Sequence, residues 1–396
     1  MKWLFFFFIS LFSSSSVKCQ IASRIGTSIS CYENGDKVKS QVARIYSLSK
    51  RQQAYSKVEF IYESVPEEAK ITFEYAAGIW ETFLNSPVPI RVKVIWSDKT
   101  NALATTGPTT LYMNFEGSRF VNVWYPVALA EKLAKKELNP VSEPDIEILI
   151  NKNYDWYYGT DGNVPSDKLD LLTIVLHEIA HGLGFISSAS VYEKQGIIGE
   201  DSFYYIYDLF LKREDGLFLT ELPNPSYELL DAYQNNSLFF QLSSITSLNQ
   251  FPRINAPSYF IHGESISHLD ELAYPIGNEN SLLSAKFSFG ESIHVLGDVL
   301  SGILVDIGWG TETEAVYPTI YPNPTDGVIN FNSLNPVIKY EAKVLNALGT
   351  EVLEFELRAR NLELPSINLE VLPKGVYLII LSTPGKLFKF KTILMK

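Results

Sequence analysis

Between residues 67 and 84 (EEAKITFEYAAGIWETFL) apolar side chains recur at Ile71, Phe73, Ala76, Ala77, Trp80, Phe83 and Leu84, with acidic residues in the first turn. That spacing predicts an amphipathic helix, ended before Pro87 and Pro89. From Ile90 to Val94 apolar and polar residues alternate as in a half-buried strand, and residues 145–150 (DIEILI) read as a second strand. Residues 151–165 are rich in Asn, Asp, Gly and Tyr and read as a loop; Ser166 then caps a helix running to about Gly182. Helices and strands mixed without regular alternation argue for an α+β fold.

Beyond about Trp309 the pattern changes. Residues 317–328 (YPTIYPNPTDGV) are rich in Pro, and strand-like runs follow at 327–331, 338–345, 351–357, 367–371, 376–382 and 387–394. Pro365, Pro373-Lys374-Gly375 and Pro384-Gly385 punctuate them, which predicts a small β-sandwich over 317–396. At the other end, Lys2 precedes an apolar run of Trp3, Leu4, Phe5 to Phe8 and Ile9, and four serines follow. This is a secretory signal, too short to span a bilayer, over residues 1–19 with the cut after Cys19. Lipidation of Cys19 is the alternative, which Lys18 suits poorly. No later run is long enough for a transmembrane helix.

Composition narrows the function. The 396 residues suit two or three domains, and 46% apolar against 20% charged residues excludes general disorder. The net charge of −12 divides into +2 over 317–396 and −14 over the rest, so nucleic acid is a poor partner. Two cysteines exclude a disulfide-stapled scaffold or a four-cysteine metal site, and only Cys31 survives removal of the signal.

The segment from Leu171 to Phe185 (LLTIVLHEIAHGLGF) contains H-E-x-x-H. His177 and His181 lie four apart, on one helix face, and can meet one metal ion. Glu178 stands beside that face, where it can reach a water activated by zinc. A catalytic zinc needs a third protein ligand. Ser187 occupies the position six residues after His181, so a compact three-histidine motif is absent. His268, in the polar run GESISHLDE, is the nominee, with Asp270 or Glu271 available to orient its ring. Glu200 and Asp201, 19 and 20 residues after His181, are the carboxylate rivals, His294 the reserve, and His262 reads as a core or rim histidine. Cys31 reads as a lone thiol, with ligation of zinc as a latency device the alternative. Tyr274 could donate to an oxyanion.

HEIAHGLGF at 177–185, SISHLDE at 265–271 and NSLLS at 280–284 resemble secreted bacterial zinc metalloproteases similar to leishmanolysin-like metzincins, over roughly residues 55–310. The resemblance implies a zincin/metzincin-like domain over 20–313, with residues 20–55 an N-terminal extension or propeptide. It implies Zn2+ held by His177, His181 and His268, and Glu178 as catalytic base. The methionine expected beneath the metal falls on Leu283, a departure that leaves an apolar floor without a thioether. YPNPTDG at 321–327, KVLNALGTEV at 343–352 and LPKGVYLIIL at 372–381 resemble the C-terminal sorting domain of the type IX secretion system. That implies contact with the outer-membrane secretion machinery and a secreted or cell-surface destination. The expectation is therefore a monomeric, secreted zinc endopeptidase acting on proteins or peptides laid beside an edge strand, with 145–150 the candidate. A non-catalytic zinc-containing surface adhesin is the alternative.

Overall fold

The computed structural model describes residues 21–43, 56–242, 251–310, 318–332, 334, 340–357, 365–383 and 386–395. The expected signal peptide and residues 44–55 of the expected extension lie outside them.

The helix expected over 67–84 spans Glu67–Phe83, with Ala69, Phe73, Ala76, Ala77 and Trp80 on its buried side. It joins two parallel strands, Val58–Glu63 and Ile90–Ser97, which pair side by side. These belong to a six-stranded sheet ordered Lys286–His294, Ile29–Ala43, Ala104–Pro108, Ile146–Asn151, Ile90–Ser97, Val58–Glu63. Ile146–Asn151 runs parallel to Ile90–Ser97 and antiparallel to Ala104–Pro108. The expected edge strand at 145–150 is thus an interior strand, paired on both sides; its continuous apolar residues (Ile146, Ile148, Ile150) suit burial rather than an edge.

The helix expected from Ser166 begins later, at Leu171, and ends at Gly182. Lys168 N–H closes a turn on Pro165, Leu169–Asp170 forms a short strand, and Asp170 is the residue that caps, its carboxylate accepting from Thr173 N–H. All twelve helical residues are buried. Gly182 lies against the sheet so closely that a Cβ there would stand 2.4 Å from the Ile146 side chain, so a larger residue requires that side chain or the helix to shift.

A second sheet, ordered Ala22–Ile25, Thr110–Met113, Val123–Pro126, Tyr204–Tyr205, carries its own apolar cluster of Ile29, Leu111, Met113, Trp124, Ile186 and Tyr205. The sequence pattern missed the long strand Ile29–Ala43. Its Glu33-Asn34-Gly35-Asp36-Lys37 run reads as a turn, yet the strand pairs with Lys286–His294 through two register shifts that absorb the irregularity.

The C-terminal region is β-rich. Thr319–Tyr321, Val328–Asn332 and Ser366–Asn368 form one sheet; Glu351–Leu357, Tyr340–Leu345, Gly375–Thr383 and Lys386–Leu394 form another. Both sheets contribute to one core that includes Ile329, Phe331, Ile367, Val344, Ile379 and Leu381. Among the described residues no helix is long and apolar enough to cross a membrane.

Candidate metal centre

The helix Leu171–Gly182 presents His177 and His181 one turn apart, and their Nε2 atoms stand 3.0 Å from each other. Two lone pairs facing each other at that distance repel unless a cation or a proton lies between them. His268 arrives from a loop eighty-seven residues further along the chain, and its ring centroid lies 5.2 Å from that of His177 and 4.8 Å from that of His181. One ligand atom from each of the three histidines lies within 4.8 Å of the others, and all three residues are buried.

Each ring is oriented by its outer nitrogen. His177 Nδ1 donates to Leu282 O at 2.7 Å, His181 Nδ1 to Phe185 O at 2.7 Å, and His268 Nδ1 to Glu264 O at 2.9 Å. A proton held at Nδ1 leaves Nε2 as the lone-pair donor, the tautomer a metal ligand needs. Burial is the main reason all three imidazoles resist protonation: His177 and His268 are pushed well below the usual range and His181 to about 4. His268 Nε2 and Glu178 Oε2 are buried without a hydrogen-bond partner. Three neutral nitrogens converging beside an orphaned carboxylate oxygen fit a divalent cation of the zinc type, which is bound by imidazole at about 2.0–2.1 Å.

The loops behind the rings are tied together. Leu282, whose carbonyl holds His177, is buried in the short helical turn Ser281–Leu283, and Leu283 O accepts from Leu269 N–H, next to His268. Leu283, the expected apolar floor, is fully buried. Ser187 N–H donates to Ser267 Oγ at 3.0 Å, while Ser187 and Ser188 hydroxyls both donate to buried Asp208. Ile266 sits at φ +70°, a left-handed conformation that a β-branched residue avoids at a cost of about 1–3 kcal/mol. Its amide donates to Asn255 O, and its carbonyl accepts from the Tyr207 hydroxyl, so packing and hydrogen bonds hold the strained turn that delivers His268.

The other nominees are engaged elsewhere. Glu200 pairs with Arg24 at 2.6 Å. His294 Nε2 bonds Asp170 Oδ2 at 2.7 Å, at the helix start, and His262 is exposed. Asp270 caps a local turn through Ala273 N–H and Glu271 accepts from Lys286 N–H; neither orients His268, a role the Glu264 carbonyl takes. Tyr274 is half-buried against the main core. The partnership that sequence reasoning missed is Asp170 with His294, for which the only local signal was Asp-Leu-Leu-Thr ahead of the apolar run.

Cys31 is a free, buried thiol, as expected, and it lies against the candidate base. It is fully buried, its Sγ donates to Glu178 Oε1 at 2.7 Å, and Cys31, His177 and Glu178 each offer a ligand atom within 4.8 Å of the others. Burial raises the thiol well above its ordinary value, reinforced by the Glu178 charge, while burial pushes the Glu178 carboxyl up to about 8 against the pull of that hydrogen bond. The chain on either side of Cys31 is built into two sheets. Ala22–Ile25 pairs antiparallel with Thr110–Met113, Ile29–Cys31 with Ala104–Thr106, and residues 32–43 run parallel to Lys286–His294. Arg24 also reaches Glu200 and Asp201 from a partly exposed position. That exposed pair contributes about 0–1 kcal/mol, against about 1.5–3 kcal/mol for burying the Ile29 side chain, so apolar burial is the stronger anchor.

Residues 91–243 match the family model described as SPBPB7E8-like, a span that includes the helix with His177, Glu178 and His181 and ends before His268. An uncharacterized protein, PB7E8.01 of Schizosaccharomyces pombe, is 26% identical over 121 residues, 28% of this chain and 21% of that protein. The chain therefore spans about a fifth of the length of this curated relative. Residues 319–396 match the secretion system C-terminal sorting domain, and that tail marks the protein for type IX export to the cell surface or the medium.

Proposed function

We propose that this protein is a secreted, zinc-dependent endopeptidase. The observation that carries the reading is the convergence of His177, His181 and His268 Nε2 beside the partnerless Glu178 Oε2, in a chain whose tail marks it for export. His177, His181 and His268 would hold the metal. When bound, zinc polarises a carbonyl and makes water acidic near neutral pH. Glu178 takes a proton from the attacking water at Oε2 and returns it to the leaving amine. The peptide lies extended along Ala104–Pro108, the strand beside the site, pairing through backbone N–H and C=O groups.

The same geometry restrains the full chain. Ile29–Cys31 covers the free side of Ala104–Pro108, and the Cys31 thiol engages the base. Substrate strand and attacking water therefore compete with that segment, so the full chain is slow rather than inactive.

The test is metal content by atomic spectroscopy together with digestion of a broad peptide library, with and without chelator. Zinc at one per chain and chelator-sensitive cleavage are expected. Glu178→Gln should keep the zinc and lose cleavage by roughly 10²–10⁴-fold, the scale of a general base. Bound zinc with no cleavage, even in a chain relieved of Cys31, makes the protein a metal-containing surface binding module instead.

A further inference from the structure

From Ala22 to Cys31 the N-terminal segment forms one continuous antiparallel ribbon with residues 103–113. Between the paired stretches Gly26 N–H donates to Thr109 O, and beyond them Leu103 N–H donates to Cys31 O. The two chains approach closely at Gly107, where a Cβ would stand 2.0 Å from Thr27 O. An extended peptide bound beside the site makes the same kind of pairing, so this segment displays how such a peptide fits.

Side chains two apart on a strand share a face. Ile29 therefore points to the same side as Cys31, roughly 6–7 Å along the strand. Ser30 points the other way, its hydroxyl on Thr105 Oγ1. Ile29 is buried among Leu111, Met113, Trp124, Ile186 and Tyr205, each almost completely enclosed. The wall of this cluster is continuous with the metal centre: Ile186 follows Phe185, whose carbonyl fixes His181 Nδ1.

We infer that the cluster lined by Leu111, Met113, Trp124, Ile186 and Tyr205 is a specificity subsite, taking an aliphatic side chain two residues N-terminal to the substrate residue that stands at Glu178. Ile29 fills it from within the chain. The inference rests on the peptidase reading, and it names the substrate class: extended peptides with Ile, Leu or Val at the second or third position before the cleaved bond. Polar and charged side chains are rejected there, because the lining offers them little but apolar surface.

The test uses the zinc-loaded full-length Ile29→Ser chain, immobilised and given a random decapeptide library; retained and cleaved peptides are both sequenced by mass spectrometry. Ile, Leu and Val should be enriched roughly tenfold at one position, the scale on which an apolar pocket discriminates by a methylene or two. Leu111→Ala in the same background should shift that preference to Phe. Ile186→Val, a milder change with the same direction, serves if Leu111→Ala does not fold. Cleavage without aliphatic enrichment before the cut overturns the subsite and leaves the peptidase. Retention with enrichment but no cleavage keeps the subsite and overturns the peptidase. A library neither retained nor cleaved overturns both.

Discussion

The Cys31 thiol donates to Glu178 Oε1 across 2.7 Å, joining residues 147 apart in sequence in a fully buried contact. Donation at Oε1 stabilises the charged carboxylate and so weakens it as a base at Oε2, the oxygen left for water. Cys31→Ala in the zinc-loaded full-length chain should raise peptide hydrolysis roughly tenfold or more, recovering part of the ~10²–10⁴-fold that a free general base contributes. Initial rates on a fluorogenic peptide mixture measure it. Equal rates in both chains would show that the segment blocks by strand pairing alone.

The ligand set has its own test. His268→Ala removes one of three converging nitrogens and should cut zinc affinity by more than about a hundredfold, beyond what losing an outer-sphere partner costs. Glu200→Ala breaks the Arg24 pair, away from the three histidines, and should leave zinc stoichiometry unchanged. Competition with a chromogenic chelator reads both; loss of zinc in the Glu200 variant alone would reverse the assignment.

Asp170 links two elements through one carboxylate. Oδ2 accepts from Thr173 N–H, from the Thr173 hydroxyl and from His294 Nε2. Asp170→Ala removes an N-cap and leaves a buried imidazole unpaired, a combined cost of about 2–4 kcal/mol. Urea unfolding of the full chain checks this, and a loss below about 0.5 kcal/mol contradicts it.

Leu283 is fully buried where the family resemblance expected a methionine. Leu283→Met conserves volume, so it should cost less than about 1.5 kcal/mol and leave zinc affinity unchanged. A zinc affinity markedly higher in the variant would give the thioether a role that packing does not.

Glu131 and Asp145 form an acidic pair away from the metal. Burial pushes Glu131 up to about 7 and Asp145 up to about 6, although backbone N–H groups donate to each. A carboxyl with a raised folded-state pKa binds its proton more tightly when folded, so its stabilising contribution is complete below the unfolded value and is lost as pH rises through those folded values. Thermal stability should therefore fall between about pH 5 and pH 8. Glu131→Gln, which keeps an acceptor oxygen for Leu138 and Asn139, should flatten that slope; an unchanged slope in the variant refutes the assignment.

Local pattern was informative where one segment carries the whole signal. The helical period over 67–84 and the alternation in the tail correspond closely to Glu67–Phe83 and to strands such as Glu351–Leu357. His177, Glu178 and His181 were legible because a helix of regular pitch puts residues four apart on one face. The helix starts later than Ser166 because Leu169–Asp170 pairs with Trp156–Tyr157, and Asp170, itself a good cap and bonded to His294, takes the N-cap position.

By itself, then, the sequence determined a helix bearing two imidazoles and a carboxylate, an exported chain, and a β-rich tail, all set by short-range periodicity and local motif. Tertiary structure alone decided that His268 joins the pair, that 146–151 is interior, and that Cys31 and Ile29 lie across the site. Those facts depend on loop closure and strand pairing between segments far apart in sequence. Such contacts leave no period in the chain, and the free energy that selects them comes from burial and backbone hydrogen bonds formed only when the sheets assemble.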